Sequence, residues 1–145
     1  HTFFIFGLSF VILSMFWMLH HNQFNFINKT KKANIWINLT FLMLISLMPF
    51  TSSLIGDYPN ELSARIFFNI NLFLLGFLLY LNWAYASRKD IVEEEILSKE
   101  EIKRKEKICM ILPSLALVSI GISFFIPLYS PIVYALSPII KRVIS

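Results

Sequence analysis

Residues 66–86 read IFFNINLFLLGFLLYLNWAYA, without one Asp, Glu, Lys or Arg. The hydrocarbon core of a bilayer is about 30 Å thick and takes roughly 20 apolar residues of α-helix to cross. A helix that is apolar on every face has to be buried, in a large core or in lipid. In a chain of 145 residues this stretch is predicted to be a transmembrane helix. Its few polar residues are spaced rather than scattered. Asn71 and Asn82 stand close to three helical turns apart and share a face, and Asn69, Gly76 and Trp83 recur at heptad spacing as a second stripe. Amides inside a membrane bundle serve as interhelical contacts worth on the order of 1 kcal/mol each. Asn71 and Asn82 are assigned that role here, with Asn82 close enough to the end of its span to be expected to recover water.

Outward from this stretch, four more apolar segments follow the same logic: residues 3–19, 35–55, 108–126 and a shorter 128–140. Pro49 is expected to end or kink the second, and Pro127, Pro131 and Pro138 interrupt the last. The fold class is therefore all-α, a polytopic transmembrane helix bundle, with residues 1–145 as a single transmembrane domain. Composition agrees: 57% of residues are hydrophobic and only 15% charged, against about 45–50% and 25% in soluble domains. Disorder requires low hydrophobicity, and a disulfide scaffold requires more than the lone Cys109. The net charge of +4 sits in short stretches between apolar runs, without the basic, aromatic-interleaved face of a nucleic-acid binder.

The basic residues orient the bundle, since Lys and Arg are retained on the cytoplasmic side. Lys29, Lys31 and Lys32 lie between the first two segments, seven more lie between Arg88 and Lys107, and Lys141 and Arg142 close the chain. Of the 13 basic residues only Arg65 falls on the other side. A multi-pass protein of the cell membrane follows, with a cytoplasmic C-terminus and a charged cytoplasmic loop at residues 87–107, part of it a solvated helix carrying Glu–Lys pairs at four-residue spacing. Five spans ending inside place residue 1 outside. The first segment lacks the charged n-region and small-residue cleavage site of a signal peptide. The topology thus leads to the expectation of a further helix ahead of His1, and of six spans in all.

Trp17, His20 and His21 share a face at the cytoplasmic end of the first span. They read either as an interfacial belt or as a hydrogen-bonding cluster against a neighbouring helix. Too few further ligands stand at suitable spacing for a metal site. Asn34 and Asn38 share a face one turn apart, while Trp36 points about 200° away from Asn38. No predicted span contains a carboxylate, and neither a phosphate-cradling loop, a zinc-binding His-Glu pattern nor a nucleophile elbow is present. Nothing supports an enzyme or a cofactor. From the residues alone, a transporter and a non-conducting scaffold remain open.

The order of the motifs reaches further. Phe16-Trp17-Met18-Leu19-His20-His21, Trp36-Ile37-Asn38-Leu39, Leu47-Met48-Pro49-Phe50-Thr51, Gly56-Asp57-Tyr58-Pro59 and Trp83-Ala84-Tyr85-Ala86 resemble the transmembrane protein 175 family of lysosomal and prokaryotic potassium channels. The resemblance covers roughly residues 10–90. It implies a six-helix repeat, a prokaryotic homotetramer in the plasma membrane, and potassium as the permeant ion. It further implies that the helix lining the pore is the first of the six, absent from these residues. His20, His21, Trp36 and Asn38 match positions that brace that helix in the family.

Overall fold

The computed structural model describes residues 2–24, 32–88, 98–125 and 136–144, and all of its secondary structure is helical. The order is α1 (Thr2–Phe24), α2 (Lys32–Asp57), α3 (Leu62–Arg88), α4 (Lys99–Phe125) and α5 (Ser137–Ile144). Three of these, α2, α3 and α4, are long and apolar enough to cross a membrane. Helices of 26 and 27 residues reach roughly 40 Å at 1.5 Å per residue. Five spans were expected from the sequence. The eight residues of α5 are too few for one, and the expected segment 128–140 falls mostly outside the described residues. The 23 residues of α1 have the length and carry no Asp, Glu, Lys or Arg.

Successive helices pack side by side, α1 on α2, α2 on α3 and α3 on α4, with α3 also touching α1. Each neighbouring pair is antiparallel. This is clear from the partners of α3: Asn82 meets Asn34 at one end of α2 while Asn71 meets Thr51 near the other. The chain therefore has a basic end, where α1 finishes, α2 and α4 begin and α3 finishes. At the opposite end lies the short turn from Tyr58 to Glu61. Although α4 runs away from the basic end, Lys141 of α5 lines the same small cavity as Lys105 and Cys109. The chain is thus back at the basic end by α5.

Two stripes on α3 explain its central place. Asn71 and Asn82 face α2. Asn69, Gly76 and Trp83 face α4: Asn69 donates to Ser123 Oγ at 3.5 Å, and Trp83 Nε1 donates to the Ile102 carbonyl at 3.1 Å. Between them Gly76 lies against Pro113. A methyl group at Gly76 would come within 2.7 Å of Pro113 Cδ and 2.9 Å of its nitrogen. Without a hydrophobic force between helices in lipid, close backbone approach at small residues supplies much of the packing. Leu72, Leu75 and Leu79 fill the rest of the α3 seam, with Phe16, Phe41 and Met48 from α1 and α2.

Two expectations need correction. Pro49 does not end α2, which runs on to Asp57. A proline in a membrane helix is tolerated where neighbouring groups and local adjustment satisfy the freed carbonyl. The solvated helical extension expected before the fourth span is present from Lys99: α4 starts there and continues without interruption into the apolar segment. Its start is set by a capping box, in which Ser98 N donates to Glu101 Oε2 at 2.9 Å and Glu101 N donates to Ser98 Oγ at 3.3 Å. Finally, Asn82 does not recover water. It is 3% exposed, because α1 runs to Phe24 and covers it.

At the opposite end, Arg65 is also buried. Its guanidinium donates to the carbonyls of Pro59, at 2.5 Å, and Asn60, at 3.3 Å. The single basic residue of that side is spent closing the α2–α3 turn.

Candidate functional site

Three buried carboxamides meet at the basic end. Asn34 of α2 donates its Nδ2 to Asn82 Oδ1 of α3 at 2.9 Å. Asn82 donates in turn to Gln23 Oε1 of α1 at 3.1 Å. Gln23 Nε2 then reaches the Leu79 carbonyl at 2.9 Å and Cys109 Sγ of α4 at 3.2 Å. One chain of amides thereby ties four helices together. All its members are buried, and Asn34 Oδ1 keeps no hydrogen-bond partner. A polar group in a low-dielectric interior is costly when unpaired and strong when paired, so the node fixes which helices meet and in which register.

Beside it lies a smaller contact between α1 and α2. His20 Nε2 is 2.5 Å from Asn38 Oδ1. Since the amide oxygen can only accept, the proton of this bond is on Nε2. The imidazole is stacked on Phe41, with centroids 4.8 Å apart, and on its other side neighbours Trp17 at 6.1 Å.

The structure divides the residues singled out in the sequence. It brings His20 to Asn38, and Asn82 to Asn34. It joins Asn71 to Thr51 at 3.5 Å, with Asn71 Oδ1 left unpartnered. His21 is exposed and lines an open groove with Trp17, Ser14 and Ile45. Trp36 is 70% exposed. Neither joins the network. Gln23 was not foreseen, although a polar residue one turn beyond His20 at the end of a charge-free helix was a usable signal. Cys109 was read only as an unpaired thiol. Its place at the foot of the node follows from the α3–α4 register, which no local pattern announces. Among the described residues no group of three or more His, Cys, Asp or Glu side chains could hold a metal ion.

A broad apolar surface surrounds this interior. On α1, Phe3, Phe4, Phe6 and Phe10 are exposed; on α2, Leu39, Met43 and Phe50 are. In water such a surface would aggregate, and it is the ordinary exterior of a protein in lipid. Fold and exterior together define a multi-pass helical membrane protein.

Its kinship is with channels. Residues 1–49 match the family described as endosomal/lysosomal potassium channel TMEM175. A potassium channel of Chamaesiphon minutus is 26% identical over 119 residues, covering 80% of this chain and 59% of that protein. The endosomal/lysosomal proton channel TMEM175 of Danio rerio is 22% identical over 138 residues, 94% of this chain but 26% of its own length. A potassium channel of Streptomyces collinus is 26% identical over 53 residues, 37% of this chain and 26% of that protein. The chain thus spans from about a quarter to three fifths of these relatives. No solved structure matches it. The relationship to TMEM175 and the potassium channels is distant.

Proposed function

We propose that the chain is part of a subunit of a potassium-selective leak channel, a homotetramer carrying potassium passively across the plasma membrane of a prokaryote. The observation that carries this reading is the alignment with a protein named a potassium channel over four fifths of the chain. The C-terminus and the 87–107 loop are cytoplasmic in this reading, on the strength of the basic asymmetry. In this reading each of α1 to α4 crosses the membrane.

Many inward polar groups of the described helices bond to one another, Gln23, Asn34 and Asn82 at one level and Asn69 and Ser123 at another, and the acceptors left over, Asn34 Oδ1 and Asn71 Oδ1, are not contiguous. An ion pathway needs groups free to replace a hydration shell. In this reading the path is lined by a helix outside these 145 residues, and the bundle is the frame that holds it. His20, His21, Trp36 and Asn38 lie on the α1–α2 side and would brace that helix. The exposed positions of His21 and Trp36 suit such a contact.

The test is ion flux in liposomes. The 145-residue chain alone should give no potassium flux above background. The full natural protein should conduct, with potassium preferred over sodium. Selective flux from the 145 residues alone would place the path within these helices. A full protein that never conducts would leave a scaffold.

A further inference from the structure

The cavity at the basic end is not filled by the amide node. It measures about 80 Å³ and lies between α1, α3, α4 and α5. That is room for roughly five water-sized groups, about the size of a tetrahedral oxyanion. Its polar wall is Lys105 of α4, Lys141 of α5, and Asn22 and Gln23 of α1; its floor is Leu19, Trp83 and Ile108. Two lysines from different helices thus line one cavity together with the exposed Asn22. Of the acids nearby, Glu106 lies within electrostatic range of Cys109, and Glu101, engaged in the cap with Ser98, also lies within electrostatic range of Lys105.

A second cavity, of about 40 Å³, adjoins the first and shares Leu19, Ile108 and Lys141 with it. Its remaining wall is Met15, Met18, Ile111 and Leu112. These positions are deeper in the bundle than Asn22 and Lys105, on α1 and on α4 alike. A charged pocket at the membrane surface therefore opens into an apolar cleft running toward the membrane interior, with Lys141 at the junction. A free phosphate would have no use for the cleft. A phospholipid has a part for each.

We propose that this pair of cavities binds one anionic phospholipid. Its phosphate lies between Lys105 and Lys141 with the exposed carboxamide of Asn22 as a further donor, and the start of an acyl chain lies in the Met15–Met18–Ile111–Leu112 cleft. Basic pockets between transmembrane helices suit anionic headgroups, and here the lipid also ties α5 to α1 and α4. The proposal requires only that the bundle is in a membrane, and it stands whether or not the protein conducts.

The test is native mass spectrometry of the purified chain titrated with phosphatidylglycerol or with phosphatidylcholine. At about a tenfold effect per one to two surface lysines, phosphatidylglycerol should be retained at least about tenfold more tightly. The Lys105→Gln/Lys141→Gln pair should abolish that preference. Lys103→Gln/Lys107→Gln, which removes the same charge from exposed positions of α4, should keep it. Lys105→Arg/Lys141→Arg should keep it too, which separates loss of charge from loss of fold. Met18→Trp, at a 58% exposed position on the cleft, should weaken retention of both lipids. Equal losses from the two Gln pairs would reduce the effect to general surface charge and overturn the site. Displacement by millimolar inorganic phosphate, or indifference to Met18→Trp, would overturn the lipid as occupant.

Discussion

Asn82→Ala should destabilise the bundle more than Asn38→Ala, which removes the other contact between helices at the basic end that the sequence singles out. The side chain accepts from Asn34 and donates to Gln23, so its removal breaks two interhelical bonds at once. Such bonds in a membrane average about 0.6 kcal/mol and reach about 1.7 kcal/mol, giving roughly 1–3 kcal/mol for the pair. Asn34 is then left worse off, because its Oδ1 is already without a partner and its Nδ2 would lose its own. A buried polar group left unpaired costs about 1–3 kcal/mol when nothing can move to meet it. The net expectation is a loss of about 2–3 kcal/mol.

The comparison that makes this decisive is Asn38→Ala. That change removes one bond, to a half-buried His20, and should cost about 0.6 kcal/mol. The sequence alone leads to the reverse order, since it places Asn82 within reach of water. Reversible unfolding in mixed detergent–SDS micelles gives both values. The double cycle with Asn34→Ala should return a positive coupling to Asn82 of about 1 kcal/mol. If Asn82→Ala costs no more than Asn38→Ala, and the coupling to Asn34 is absent, the four-helix node is not what holds this end together.

Gly76→Ala should destabilise by about 1–3 kcal/mol, as overpacking does, because the new methyl meets the Pro113 ring and backbone. Gly121→Ala, which meets nothing within 4 Å, should be neutral or gain up to about 1 kcal/mol. The Glu101 carboxyl is held below its ordinary range by the Ser98 backbone amide and then by the Ser98 hydroxyl. The cap should therefore be intact above the usual carboxylate range and lost as pH falls through the lowered value, read as faster amide exchange in the first turn of α4. Glu101→Gln should remove that pH dependence. In a Cys109→Ser background, a cysteine at Asn60 should label with an impermeant thiol reagent in intact cells and one at Lys103 should not; the opposite pattern would invert the orientation.

How much of this was legible in the sequence depends on the kind of signal. The heptad of Asn69, Gly76 and Trp83 and the three-turn spacing of Asn71 and Asn82 are properties of one helix, and periodicity shows them directly. The structure uses both, one stripe toward α4 and the other toward α2. Helix ends were less legible. Lipid makes no demand that a helix stop where its apolar run stops, so α1 continues to Phe24 and α4 begins nine residues before the apolar segment predicted from Ile108. Pro49 illustrates the same point, since the cost of a proline in water does not carry over to a helix packed among neighbours. The partners of Gln23 and Cys109 depend on how far α1 and α4 slide against α3, a quantity set by Gly76 on Pro113 and by no local motif.

The placement of polarity in this bundle has a consequence for what it can do. Buried amides placed along one face at successive levels could form a wet path. Here Gln23, Asn34 and Asn82 are joined at one level, and Asn69 and Asn71 at another bond to Ser123 and Thr51. That arrangement resists sliding of the helices and leaves only scattered acceptors such as Asn34 Oδ1 and Asn71 Oδ1 unbonded, not a continuous lining. The half-buried His20 and Asn38, with exposed Trp36 and His21 beside them, lie instead on the α1–α2 side, where a large apolar surface is open. A bundle locked on one side and open on another is suited to hold a further helix in a fixed place. If the proposed function is right, perturbing the node should therefore act on stability first, while changes at His21 or Trp36 should leave the fold of these residues intact and act on conduction.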